Sequence, residues 1–230
     1  MFDKNTIPQI TVTPAKNGDF SITKEGNVFY LHKNKAQLMQ LNVKSMREYK
    51  EQYACYELAY GNVLITGLGF GMLATWLASK PEVTSIKVIE FSQEVINLFT
   101  ASNPVSEKIT IELEDAKTYA TNDKFDCVFL DHFPDHSDKP IYEEVLGISK
   151  NIPNHNVLWF WSLEQWYLKN YYEFDDYLFV TNPPDLEPLD LYEQWQRFRS
   201  DIGILTIPKL DAIKVKEYIY TYINYIAIHH

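Results

Sequence analysis

Cysteine and clustered positive charge are scarce in this chain of 230 residues. Its two cysteines, Cys55 and Cys127, are not part of a CxxC pattern, and this usage fits a reducing compartment. Acidic residues outnumber basic residues by 31 to 21, which gives a net charge of -10, and basic residues do not cluster with aromatics anywhere. We therefore expect no nucleic-acid partner and no anionic membrane surface as a partner.

Long apolar runs are also missing. The longest hydrophobic stretches fall far short of the roughly 20 residues that a membrane span needs. The first ten residues, MFDKNTIPQI, lack the apolar centre of a signal peptide, so we expect a cytoplasmic protein. At 46% hydrophobic residues, the chain can bury the core of one sizeable α/β domain with a small appendage.

A glycine-rich turn between a strand and a helix is the most informative feature. Residues 63–66 form a short β-branched run, and Gly67, Gly69 and Gly71 follow it directly. A helix over 72–79 and a strand over 83–89 come next, and Glu90 ends that strand, where a carboxylate can accept both ribose hydroxyls. The GxGxG spacing, shorter than GxGxxG, suits a ligand without a pyrophosphate.

Carboxylates also follow the next two predicted strands. Residues 108–113 alternate as a strand and lead into Asp115 and Ala116, and residues 125–130 lead into Asp131. Because ligands bind beyond the carboxyl ends of the strands in an open α/β sheet, these acids predict a nucleoside site at that edge. Upstream, residues 7–43 are broken by Asn-Gly and Gly-Asn pairs and predict a small β-meander.

These strings carry a resemblance that extends over most of the chain. EGNVFYLHK, EQYACYEL, VLITGLGFG and VLWFWSLEQW follow one another here, and YLFVTNPP and IGILTIPK form a closing pair. In this order they resemble class I S-adenosylmethionine-dependent methyltransferases, and most of all the spermidine synthase (polyamine aminopropyltransferase) branch. The resemblance implies an α/β Rossmann-like fold, with a seven-stranded, mostly parallel sheet and helices on both faces. It also implies a small N-terminal β-domain over 1–45, a nucleoside-binding domain over 46–230 and a possible homodimer.

The resemblance implies S-adenosylmethionine, or its decarboxylated form, as the cofactor. Gly67, Gly69 and Gly71 would hold the methionine part, Glu90 the ribose, and Asp115 with Ala116 the adenine. The acceptor half departs from the spermidine synthases, with Phe70, Tyr56 and Trp161 where that family has polar residues, and these three become the candidate substrate-binding residues. Methyl transfer to an unidentified small molecule is therefore the favoured activity; the alternatives are aminopropyl transfer and a non-catalytic nucleoside-binding relative.

The segment LDHFPDHSD after the fourth strand of the unit holds the candidate catalytic groups. Asp131, Asp135 and His132 could each supply a general base beside a bound nucleoside. A solvated loop whose aspartates cap the next helix is the competing interpretation. A metal site is not expected, because no partner cluster of ligands is evident elsewhere in the chain.

Overall fold

The computed structural model describes residues 3–8, 10–133, 138–161, 163–171, 188–204 and 206–227. One antiparallel sheet of four strands and one parallel sheet of five strands organise this part of the chain. Side chains from both sheets belong to one hydrophobic core. Within the same residues, no helix has both the length and the apolar character that crossing a bilayer requires.

The N-terminal sheet is the predicted meander. Its strands are β1 (Ala15–Asn17), β2 (Phe20–Glu25), β3 (Val28–Lys33) and β4 (Ala36–Asn42). Each strand pairs antiparallel with the next, and Gly18 and Gly26 occupy the first two turns with φ of 56° and 57°. Alternate residues such as Phe20 and Ile22 are buried, so one face of this sheet packs on the core.

The central sheet is wholly parallel in the described part of the chain. Its strands are β5 (Gly61–Thr66), β6 (Val83–Glu90), β7 (Ile109–Leu113), β8 (Phe125–Leu130) and β9 (His155–Phe160). They lie in the order β7-β6-β5-β8-β9, which is 3-2-1-4-5 by position in the chain. That is the order of a doubly wound Rossmann-type sheet, whose strand order reverses between β5 and β8. The predicted α/β Rossmann-like fold is therefore confirmed.

The prediction of seven strands is wrong for the part of the chain that the structure describes. The first closing run, over 177–184, lies outside the described residues. The second, over 202–209, is not a strand where it is described: one backbone bond, from Leu158 N–H to the Thr206 carbonyl at 3.0 Å, joins it to the sheet. Pro208 lacks the N–H that would extend this pairing. Among the described residues, the sheet thus has five strands.

Helices cover the central sheet and connect its strands. They are α1 (Arg47–Glu51), α2 (Tyr53–Leu58), α3 (Met72–Ala78), α4 (Gln93–Ser102), α5 (Asp138–Asn151), α6 (Leu163–Tyr171), α7 (Pro188–Ile202) and α8 (Ala212–Ala227). The aromatic residues near β9 mostly serve the core. Trp159 is fully buried, with its ring centroid 5.7 Å from that of Trp195 and 5.8 Å from that of Tyr218.

Candidate active site

The glycine turn leaves β5 in a conformation that only glycine adopts readily. Gly67, Gly69 and Gly71 have φ of 87°, 51° and 69°. A Cβ at Gly67 would lie 2.4 Å from the carbonyl oxygen of Asp131, and one at Gly71 would lie 2.1 Å from the ring of Phe99. The turn can therefore approach β8 and α4 closely, and Gly67 and Gly69 offer only backbone to the cavity beside them.

Glu90 ends β6 directly beside this turn. Its side chain is only 4% exposed, and its Oε2 and Oε1 accept the backbone N–H groups of Leu68 and Ser92, each at 2.9 Å. Burial raises the pKa of this carboxyl, and the backbone hydrogen bonds partly oppose the rise. Each carboxylate oxygen can accept two hydrogen bonds, so Glu90 braces the turn and keeps acceptor capacity for a ligand.

Asp115 and Ala116 lie on the loop that leaves β7. The backbone N–H of Glu114 donates to the carbonyl of Glu90 at 3.0 Å, which holds this loop against the end of β6. Asp115 Oδ1 accepts the backbone N–H of Lys117 at 2.9 Å, and Ala116 is buried beneath it. The exits of β6 and β7 therefore present two carboxylates side by side.

A cavity of about 740 Å³ opens at the carboxyl ends of the strands. This volume lies in the range of small-molecule sites, which is about 300 to 1,000 Å³. Most of the predicted site residues line it: Gly67, Gly69, Glu90, Asp115, Ala116, Asp131, His132 and Trp161. The structure thus brings together residues from five separate strand exits, as the sheet-edge argument expects.

Three of the predicted site residues that the structure describes are not in this wall, and a fourth falls outside the described residues. Gly71 packs against Phe99, and Phe70 is buried on the far side of the turn, against a much smaller hollow. Tyr56 stacks on Trp76 with ring centroids 4.2 Å apart, so its ring is used in packing α2 on α3. Asp135 lies outside the described residues.

One helical face that the sequence comparison overlooked lines the cavity. Glu48, Glu51 and Gln52 are three and four residues apart, so they project from the same side of the helical segment that begins with α1. The EQYACYEL string instead pointed to Cys55 and Tyr56, one turn further on. Cys55 is buried and does not reach the cavity. The spacing of the polar residues over 48–52 could have identified this face in the sequence, since residues three and four apart lie on one side of a helix.

The N-terminal sheet supplies another wall that was not predicted. Lys33, Gln37, Met39 and Gln40 line the cavity, and the Met39 sulfur would lie 2.6 Å from a Cβ placed on Gly69. This sheet is therefore part of the site and touches the glycine turn itself. No local pattern in the sequence reports such a contact, because it depends on how the two sheets pack.

The end of the cavity near α1 is acidic. Glu48, Glu51 and Asp131 line it together with Gln52, whose side-chain amide donates to the Asp131 carboxylate. Burial raises the pKa of Asp131 to about 7, and the hydrogen bond from Gln52 opposes part of that rise. Such a carboxyl can take up or release a proton near neutral pH, as a general base must.

His132 is fixed at both ring nitrogens. Nδ1 lies 2.6 Å from Thr66 Oγ1, and Nε2 lies 2.7 Å from Glu144 Oε1. Burial lowers its pKa, which favours the neutral ring. With both nitrogens engaged, His132 has no free lone pair to receive a substrate proton, so Asp131 is the better candidate base. Among the described residues, no three His, Cys, Asp or Glu side chains converge as metal ligands would.

Comparison with known proteins gives only distant matches. No family model and no curated protein matches this chain. Similar solved structures include the DhpI–SAH complex, at 16% identity over 49% of this chain and 54% of that chain, with a TM-score of 0.40. They also include CalS10, an amino pentose methyltransferase from Micromonospora echinaspora (15% identity, 46% and 44% of the chains, TM-score 0.33). A third is an S-adenosylmethionine-dependent methyltransferase from Mesorhizobium loti (15% identity, 46% and 50%, TM-score 0.36). The chain spans about half the length of these structures, and the fold assignment rests on the strand order.

Two glycine substitutions test how tightly the turn is constrained. Gly67→Ala should destabilise the protein by more than about 2 kcal/mol, because its Cβ would collide with the Asp131 backbone. Gly147→Ala, in helix α5 with nothing within 4 Å of its Cβ, should instead stabilise it by about 0.5 to 1 kcal/mol. Urea unfolding measures both, and equal stabilities would contradict the constraint.

Proposed function

We propose that this protein is an S-adenosylmethionine-dependent transferase that moves a methyl group to a small-molecule acceptor. One observation carries the proposal: Glu90, Asp115 and the glycine turn share one wall of a single cavity. Adenosine offers hydrogen-bond donors at two places, the ribose hydroxyls and the adenine amino group, and each needs an acceptor. Gly67 and Gly69 carry no side chain that would fill the space between these acceptors.

The donor's parts are assigned to the residues that match them chemically. Glu90 would accept hydrogen bonds from the ribose hydroxyls, and Asp115 would accept one from the adenine amino group. Phe91, 59% exposed and in the cavity wall, offers an aromatic face to the same nucleoside. The backbone of Gly67 and Gly69 would face the methionine part. When bound, S-adenosylmethionine supplies an electrophilic methyl group on a sulfonium.

The acidic end of the cavity supports an amine as the acceptor. Glu48, Glu51 and Asp131 together would repel an anion and attract an ammonium ion, with Gln52 as a further polar group. The ammonium ion would first give a proton to the Asp131 carboxylate, which leaves a lone pair on the amine nitrogen. That nitrogen would then bond to the methyl carbon as the carbon–sulfur bond breaks, and the donor would leave as the neutral sulfide S-adenosylhomocysteine. The residues mainly hold the two reactants in line, which is a large part of catalysis in such displacements.

The acidic lining also favours a second candidate, aminopropyl transfer from decarboxylated S-adenosylmethionine. A donor that has lost its carboxylate would meet less repulsion from Glu48 and Glu51. The two reactions leave different nucleosides, S-adenosylhomocysteine (SAH) after methyl transfer and methylthioadenosine after aminopropyl transfer. Product analysis with each donor therefore separates them.

Binding of SAH tests the nucleoside site. We expect calorimetry to detect binding to the parent protein, and Asp115→Ala to weaken it about tenfold, because one hydrogen bond to a charged acceptor is lost. Asp123→Ala is the matched control, since Asp123 lies further along the same connection between β7 and β8, pairs with Lys87 and does not line the cavity. If the parent does not bind SAH, the proposed function is wrong.

Paired acceptors of equal length test the acceptor class. With methyl-labelled S-adenosylmethionine, we expect transfer to butylamine or 1,4-diaminobutane and none to 1,4-butanediol. Glu51→Gln should lower kcat/KM for the amine about tenfold and leave SAH affinity within about twofold, because it removes one acceptor-side charge. Glu82→Gln, an exposed residue outside the cavity, should change neither quantity. Transfer to the diol at the amine's rate would refute the assignment.

The pH dependence tests Asp131 as the base. The base must be ionised, and burial raises its pKa to about 7, so kcat/KM should fall as pH drops through about 7. Asp131→Asn should reduce kcat at least about 100-fold while SAH still binds. A profile that stays flat between about pH 5.5 and 8.5 would count against this role.

A further inference from the structure

A chain of hydrogen bonds ties the loop of Asp131 to the end of β5. Thr66 is fully buried, and its Oγ1 lies 2.6 Å from His132 Nδ1. The backbone N–H of Asp131 donates to the Thr66 carbonyl at 2.9 Å and lies 3.3 Å from its hydroxyl oxygen. His132, the residue after Asp131, is therefore hydrogen-bonded to the end of β5, the strand that leads into the glycine turn.

The hydrogen bonds continue from His132 to helix α5. Glu144 Oε1 lies 2.7 Å from His132 Nε2, and Glu144 Oε2 accepts from Lys117 Nζ at 2.9 Å. An ionised carboxylate only accepts hydrogen bonds, so Nε2 must carry the ring proton. Nδ1 is then the acceptor and the Thr66 hydroxyl is its donor. This assigns one direction to each hydrogen bond in the chain.

Thr66, His132 and Glu144 are arranged like a hydroxyl–histidine–carboxylate triad, but the Thr66 hydroxyl does not act as a nucleophile. The Thr66 hydroxyl is 0% exposed and already engaged by His132, so no substrate reaches it. Lys117, at the other end, belongs to the loop of Asp115, whose carboxylate accepts its backbone N–H. These hydrogen bonds thus link the loop of Asp115 to the loop of Asp131.

We propose that Glu144 is a positioning residue: through His132 and Thr66 it holds the loop of Asp131 so that the Asp131 carboxyl stays in the protein-lined end of the cavity. The role of Glu144 in catalysis rests on the proposed function, whereas the hydrogen bonds that join Glu144, His132 and Thr66 do not. His132 stays neutral in this arrangement, and the charged groups that act on it are Glu144, Lys117 and Asp115.

A carboxyl titration followed by NMR tests the proposal without any acceptor. With ¹³C-labelled aspartate and Asp131→Asn for assignment, the parent should titrate near pH 7. In Glu144→Ala, the loop loses its anchor and Asp131 reaches water, so its midpoint should fall by about one pH unit or more, toward the ordinary value of about 3.9. Loss of the Glu144 charge does not explain such a fall, because burial raises the pKa of Asp131 and the hydrogen bond from Gln52 opposes that rise.

Two controls make the result specific. Glu144→Gln keeps an oxygen that can accept from His132, so it should retain the parent midpoint, as should Glu143→Ala, an exposed neighbour on α5. Long-range proton–nitrogen NMR of the parent should show the Nε2–H form of His132 at pH 7. An Nδ1–H ring, or the parent midpoint in Glu144→Ala, would overturn the proposal. Calorimetry with SAH on the same samples tests the proposed function separately.

Discussion

The close approach of the Gly67 backbone to the carbonyl of Asp131 determines the geometry of the cavity. It joins the exits of β5 and β8, the two strands between which the strand order of the sheet reverses. A side chain at Gly67 would separate these exits by filling the gap with its first carbon. Because they remain in contact, the backbone of the turn and Asp131 line the same cavity, so a ligand held at the turn would lie close to Asp131.

Glu90 adds a second constraint, since it supports the turn that it would share with a ligand. Its two oxygens accept backbone N–H groups on either side, from Leu68 and Ser92. Removing this carboxylate therefore leaves buried donors without acceptors, in addition to any loss of contact with ribose. The side-chain hydrogen bond described for Asp115 lies within its own loop. A substitution of Asp115 should therefore change ligand binding with less effect on folding than a substitution of Glu90.

Sequence reasoning predicted the part of the cavity wall that local order dictates. A strand, a glycine turn and an acid at the next strand end follow one another along the chain, so their spacing predicts their meeting point. The wall formed by Met39 depends on packing between two sheets, which no local pattern encodes. The helical face was misplaced by one turn because string similarity favoured Cys55 and Tyr56, while periodicity puts Glu51 toward the cavity. Likewise, the resemblance to a closing antiparallel pair predicted a strand over 202–209. In the described part of this segment, Pro208 lacks an N–H group and the one backbone bond to β9 does not make a strand.

The cavity divides its charges between two tasks. Glu90 and Asp115 line the part of the cavity that we propose for the nucleoside, where carboxylates would act as hydrogen-bond acceptors. Asp131 lies at the other end, where burial keeps its carboxyl largely protonated below about pH 7. An ammonium ion arriving there would lower the pKa of Asp131, because a nearby positive charge favours the ionised form. The acceptor would thus help to ionise the base that receives its proton. An uncharged acceptor has no such effect, so Asp131 would be largely ionised at neutral pH only when an ammonium ion is bound beside it.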